Sequence, residues 1–251
     1  MTQDLRSIGL DYPKWQDAIE AAFGSGNLSV IGEPRGGQLV RFEDPSGARL
    51  HILTVEPFPT FAGFAGSTHV TAHVSGLDDV LALVEIVGDD PSSDTFDQVL
   101  GTAVCALAQG PLIVDEGTQT FEHVNLAALA VDVAVSNGEG KKSHCSFTGA
   151  EAITANSGSQ QPSASARLGG EVERAERRVN ALTGQEFWVV VLDLPFSMEV
   201  LLPVSAAPEL HTGDFLEGTF LLVGDILAPQ GCGTGGGCGG CGGGGCGCGG
   251  H

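Results

Sequence analysis

The chain has 251 residues and a formal net charge of -20, from 31 acidic against 11 basic side chains. That length suffices to bury a sizeable core. The charge excludes nucleic acid as a partner, because such binding draws most of its affinity from Lys and Arg neutralising phosphates. No apolar run approaches the roughly 20 residues that span a bilayer, and residues 1–10 lack the basic start and apolar centre of a signal peptide. The expectation is a cytoplasmic protein with no membrane contact. No Lys or Arg stands between His51 and Gly140, where acidic residues recur. That stretch is read as a solvated acidic surface, with a cation site or a basic protein partner as the alternative.

Ser7 to Leu10 has the length of a short strand. From Tyr12 to Phe23, Trp15, Ala18, Ile19, Ala22 and Phe23 recur at helical spacing, with Gly24 placed to end the turn. Three strand-like runs follow: Asn27 to Ile31, Gln38 to Phe42 and Arg49 to Val55. The last two are joined by Asp44-Pro45-Ser46-Gly47, a turn in which Pro fixes φ and Gly permits a positive one. The order reads βαβββ. The segment from Arg41 to Ile52 resembles the closing hairpin of vicinal-oxygen-chelate, or glyoxalase-like, proteins, whose modules are βαβββ. The resemblance implies a metal-dependent enzyme or binding protein, with His51 where that family's last strand can supply a metal ligand. From the residues alone, His51 is a half-buried or surface histidine. Phe58, Phe61 and Phe64 lie among Pro57, Pro59, Gly63 and Gly66, an aromatic-anchored loop expected to end the first domain near residue 62.

Thr68 to Ser75 alternates, with Val70, Ala72 and Val74 on one face and His69, Thr71 and His73 on the other. Residues four apart on a strand are separated by about 13 Å, too far for His69 and His73 both to reach one ion at about 2 Å. Both are read as polar-face residues. Val80 to Val87, Val99 to Ala108 and Asn125 to Val135 read as further strands, with a turn from Asp89 to Ser93. Cys105, isolated in an apolar run, reads as a small core residue. Ser136 to Ser143 is expected as a loop and Ala155 to Ala166 as a polar linker.

Ala166 to Leu227 is the most legible stretch. Between Gly169 and Val179, Val172, Ala175, Val179 and Leu182 fit helical spacing. A long strand kinked at Gly169-Gly170 is nevertheless preferred, because Asn180 to Gly184 reads as a hairpin connection into the strand from Phe187. Met198 to Val204 and Phe215 to Ile226 supply two more strands. His123 to Val135 and His211 to Ile226 resemble each other weakly, which suggests two related β units, Thr68 to Val135 and Ala166 to Leu227, each a small Greek-key barrel. The second resembles an oligonucleotide/oligosaccharide-binding (OB) barrel in its long first strand, its hairpin and a final strand entered through Leu210 to Asp214. That resemblance implies architecture alone. Arg174, Arg177 and Arg178 are interleaved with Glu171, Glu173 and Glu176, and Phe187 and Trp188 are read as core rather than as a base-stacking face.

From Gly231 the chain contains Gly, Cys, Thr234 and His251 alone. Glycine gives maximal backbone freedom, so this strap is expected to be disordered. Cys238-Gly-Gly-Cys241 has metal-type spacing, Cys246-Gly-Cys248 is shorter, and Cys232 and His251 bring further soft donors. Zn(II) or Cu(I) suits that set. The Gly/Cys run also resembles the core of microcin-type precursor peptides, which implies cysteines cyclised to thiazoles.

The chain lacks a P-loop, a GxGxxG opening a helix, a GxSxG elbow and an HExxH, and no local spacing selects a base or nucleophile. The expected class is mainly β (α+β): a βαβββ unit over residues 1–62, a β unit over 63–160, an OB-like unit over 161–229 and the strap from 230. The expected role is a non-catalytic binding or scaffold protein whose strap binds a soft metal or acts through its thiols. A glyoxalase-like metalloprotein and a precursor with modified cysteines are the alternatives.

Overall fold

The computed structural model describes residues 3–147, 162–196 and 198–227. The strap with Cys232, Cys238, Cys241, Cys246, Cys248 and His251, and most of the linker expected from Ala155, lie outside them.

The N-terminal unit comprises α1 (Gln3–Arg6), α2 (Trp15–Ser25), β1 (Leu28–Gly32), β2 (Leu39–Glu43), β3 (Ala48–Leu53) and β4 (Thr60–Phe64). Its four strands form one antiparallel sheet in chain order. α2 buries Ala18 and Ala22 one turn apart, and it is capped by Gly26 at φ 75° rather than ended by Gly24, which lies within the helix. The turn from Asp44 to Gly47 joins β2 and β3 as expected, with Gly47 at φ 95° and its N–H donating to Asp44 O at 2.8 Å. Two expectations are corrected. Ser7 to Leu10 is a turn and not a strand: Ile8 and Leu10 donate back to Leu5 O, and Gly9 donates to Arg6 O at φ 74°. The Phe58 to Phe64 loop contains β4, in which the four consecutive residues Phe61, Ala62, Gly63 and Phe64 are buried. With both faces covered the strand has no alternation to read, and its Pro and Gly neighbours imitate a loop.

The remaining strands are β5 (Val70–Gly76), β6 (Leu81–Val87), β7 (Val99–Leu107), β8 (Gln119–Asn137), β9 (His144–Ser146), β10 (Ser165–Val179), β11 (Glu186–Leu192), β12 (Glu199–Pro203) and β13 (Asp214–Ile226), with the short α3 (Gly110–Ile113) after β7. They form one sheet in the order β11-β12-β8-β5-β6-β7-β13-β10-β9, to which the pairings β10–β11 and β8–β13 add two closures. One circuit runs β8-β5-β6-β7-β13 and the other β8-β12-β11-β10-β13, so the β8–β13 pair belongs to both. That pair is antiparallel from Asp214↔Asn137 to Ile226↔Val124. The two segments that resemble each other in sequence are thus partners in space.

β10 is a strand throughout and changes partner midway. Ser165 to Glu171 pair with β13, and Val172 to Val179 pair with β11. Gly170 sits at the change because a Cβ there would stand 2.8 Å from Asp193 O. The β10–β11 hairpin is tied down by Asn180, which is fully buried. Its Oδ1 accepts from the backbone of Leu182 at 3.0 Å and Thr183 at 3.3 Å, while Nδ2 donates to Ile8 O at 3.1 Å. Asn180→Ala strips the partners from these groups in a buried place and is expected to cost about 2 kcal/mol, measurable by urea unfolding.

β8 and β13 alternate between two cores. Leu126, Ala128 and Leu222 join Val84, Cys105, Val190 and Phe220 in one. Ala127, Leu129 and Val223 join Leu5, Ala18, Phe42, Leu50, Phe64 and Phe187 in the other, so the N-terminal unit covers the second face of these strands. Phe187 and Trp188 are buried core residues as expected. Cys105 is also core, and burial pushes its thiol up to about 12. No helix among the described residues is long and apolar enough to cross a membrane.

Candidate functional site

The strand that leads toward the strap ends in a polar joint between the two sheets. Asp225, on β13, is 6 % exposed and receives the Arg49 guanidinium from β3, with Arg41 Nη1 3.9 Å away and Gln109 Nε2 donating at 2.6 Å. Gln109 also clasps the backbone of the next residue, donating to Ile226 O at 3.1 Å and accepting from Ile226 N at 2.9 Å. Arg49 reaches Glu43 at 2.8 Å on its other side. Beyond the joint, Leu227 N donates to His123 O at 2.8 Å.

His51 borders this joint. It pairs across the small sheet with Arg41 and Phe61, stacks on the Phe61 ring at 5.2 Å between centroids, and is 2 % exposed, so it is neither half-buried nor at the surface. Neither ring nitrogen has a hydrogen-bond partner among the described residues, nor does Arg41 Nε. Burial first, and then the charges of Arg49 and Arg41, pull its pKa down to about 3. It is therefore an uncharged imidazole, and a cation placed against it would face two guanidinium groups.

A second group of polar side chains lies on β5 and β8. The expected apolar face of β5 is present, with Val70, Ala72 and Val74 buried; on the other face His73 is half-buried but Thr71 is buried as well, and His69, just before the strand, is exposed. His73 Nδ1 accepts from Phe121 N at 3.2 Å. His69 meets not His73 but His123 of β8, ring centroids 5.4 Å apart and planes 81° apart. Between the strands, Thr71 Oγ1 donates to Asp89 Oδ2 at 2.8 Å and lies 3.4 Å from His123 Nδ1.

The segment before His69 is clamped. Asn125 Oδ1 accepts from Gly66 N at 3.1 Å and its Nδ2 donates to Thr68 O at 2.6 Å. Fully buried Glu199 accepts from Ser67 N and Ser67 Oγ, each at 2.8 Å, with Arg174 3.7 Å away. Gly66 must be glycine here, since a Cβ would collide with Glu199 and Asn125. Glu199 left one trace in the sequence, a lone charge inside an apolar run. The remaining pairings join residues far apart in the chain, and no local spacing could have selected them.

A cavity of about 560 Å³ opens between Arg6, Asp11, Gln185, Glu186 and Ser205, but Arg6 and Asp11 neutralise each other at 2.7 Å and neither a base nor a nucleophile is paired there. Among the described residues no group of three His, Cys, Asp or Glu side chains is placed to hold a metal ion. The thiols and His251 expected to do so lie outside those residues. No protein-family model matches the chain, and no curated protein matches it.

Proposed function

We propose that the folded body is a non-catalytic β scaffold that presents the Gly/Cys strap, and that the strap's thiols bind a soft metal ion, Zn(II) or Cu(I). In this reading the circuit β8-β12-β11-β10-β13 acts as an OB-like barrel used for rigidity and not for oligonucleotides, whose phosphates the net charge repels. The observation that supports it is the anchoring of β13. The strand next to the strap is paired along its length with β8 and in part with β10 and β7, and its end is fixed by Asp225, Gln109 and the Leu227 amide. Such a root lets the strap take up a ligand without loosening the body.

At neutral pH a thiol of pKa about 8.5 is mostly protonated, but a soft cation displaces the proton and takes the thiolate. Cys238, Cys241, Cys246 and Cys248 are the ligands of choice, with Cys232 and His251 in reserve. Ordering the glycines costs roughly 1 to 2 kcal/mol per residue, so affinity is expected to fall below that of a preorganised zinc knuckle. Native mass spectrometry tests this. The reduced full-length protein should carry one ion more than a variant with all five strap cysteines changed to Ser. Equal metal content would end the proposal, and thiols missing together with the mass of water and hydrogen would put cysteine modification in its place.

A further inference from the structure

We infer that His69 and His123 form a second metal site, built on the sheet surface for a borderline divalent cation, with Zn(II) as the ion of choice. The proposal does not depend on the strap binding metal. Its first ground is distance. With Zn–N bonds of about 2.0–2.1 Å and tetrahedral angles, two imidazoles on one ion have ring centroids about 5 Å apart. The His69 and His123 centroids are 5.4 Å apart. His69 and His73 fail the same test along one strand, whereas His123 approaches His69 from the neighbouring strand.

The second ground is the tautomer of His123. Thr71 Oγ1 gives its single proton to Asp89 Oδ2, so toward His123 Nδ1 its oxygen is an acceptor. The tautomer that this contact favours carries the His123 proton on Nδ1 and the lone pair on Nε2, the orientation that a carboxylate or hydroxyl behind a metal-bound histidine ordinarily supplies. Thr71 and Asp89 are positioning residues in this arrangement. Among the described residues no hydrogen bond occupies the His69 ring.

The third ground is preorganisation and field. The segment entering His69 is held by Asn125 and by Glu199, while His123 is fixed within the β8 ladder. The chain from His51 to Gly140, which includes β5 through β8, contains no Lys or Arg, so its own charges favour a cation. The pair supplies two nitrogens, and the remaining coordination positions go to water.

The test uses the full-length protein with its five strap cysteines changed to Ser, which removes the thiol site and isolates the histidines. Titration with Zn(II) at neutral pH, followed by calorimetry, is expected to show one bound ion. Adding His69→Ala or His123→Gln should weaken binding at least tenfold, with circular dichroism unchanged. Thr71→Val keeps both histidines and the buried volume at 71 but removes the relay, and it should weaken binding by about tenfold. If the protein without its strap cysteines takes up no Zn(II), or if both histidine variants bind within twofold of it, the site is not there. A loss of metal on Cys-to-Ser substitution alone bears on the strap and leaves this inference standing.

Discussion

Lowering the pH from 6.5 to about 4.5 is expected to cost the native state about 2 kcal/mol through His51 alone. In the unfolded chain this imidazole takes a proton below its ordinary value of 6.5, whereas in the fold burial and the two arginine charges hold its pKa near 3. Between those values the unfolded state binds more protons, so stability rises with pH there. The contribution is complete above 6.5 and is lost as pH falls toward 3, at about 1.4 kcal/mol per pH unit. Asp225 and Glu43 do not rescue the charged form, since both are already committed to Arg49. Exposed carboxylates whose pKa is lowered by hydrogen bonds, Asp90 from Ser92, Glu176 from Arg178 and Glu217 from Lys141, act in the same direction but lose stability only as pH falls below about 4.5. The window from 6.5 to 4.5 lies above the range of these three carboxylates, and Asp4, which burial raises, acts in the opposite direction, so the His51→Leu comparison is what separates the histidine. His51→Leu removes the two unpartnered nitrogens and should be within about 1 kcal/mol of the parent at neutral pH while losing the slope. Urea midpoints measured across this window decide the matter: a flat profile for the parent, or an equal slope in both proteins, would show that His51 is not buried as a neutral ring.

Much of the β architecture was legible because its strands obey local rules. β5 alternates, β11 and β13 are apolar runs bounded by turn residues, and Asn180 to Gly184 carries the chemistry of a tight connection. β10 was the hard case, and its continuation through Gly169-Gly170 follows from a close approach to Asp193, not from any propensity. β4 was missed because full burial erases periodicity, and Ser7 to Leu10 was misread because Gly9 folds it back onto Leu5 and Arg6. The circuits through β8 and β13 could not be read at all, since register between strands far apart in the chain leaves no local mark. The same blindness explains the histidines. Spacing along one strand correctly ruled out His69 with His73, but it could not reveal His123, which arrives from across the ladder. Asp225 looked like one more acidic residue in an acidic chain, and only the meeting of two sheets gives it its partners.

Removing that carboxylate is the mutation from which the largest loss is expected. Asp225→Ala leaves the Arg49 guanidinium, whose side chain is 12 % exposed, without its inner partner, takes one of the two carboxylates near Arg41 and strips an acceptor from Gln109. Breaking a buried pair from one side ordinarily costs 3–5 kcal/mol, because the surviving charge remains desolvated. Glu43 still holds Arg49 at 2.8 Å from a more exposed position, which places the expected loss at about 3 kcal/mol. The pair itself is worth less than that figure, so Arg49→Met combined with Asp225→Leu should recover a large part of the loss, and the double-mutant cycle should return a coupling of at least 1 kcal/mol. Asp225 also fixes Gln109 against Ile226. Hydrogen exchange at the Ile226 and Leu227 amides should therefore accelerate in Asp225→Ala more than exchange in the middle of β13, where pairing with β8 and β10 persists. Uniform acceleration along β13 would mean that the joint stabilises the whole fold without anchoring the root of the strap, and the scaffold reading would lose its structural support.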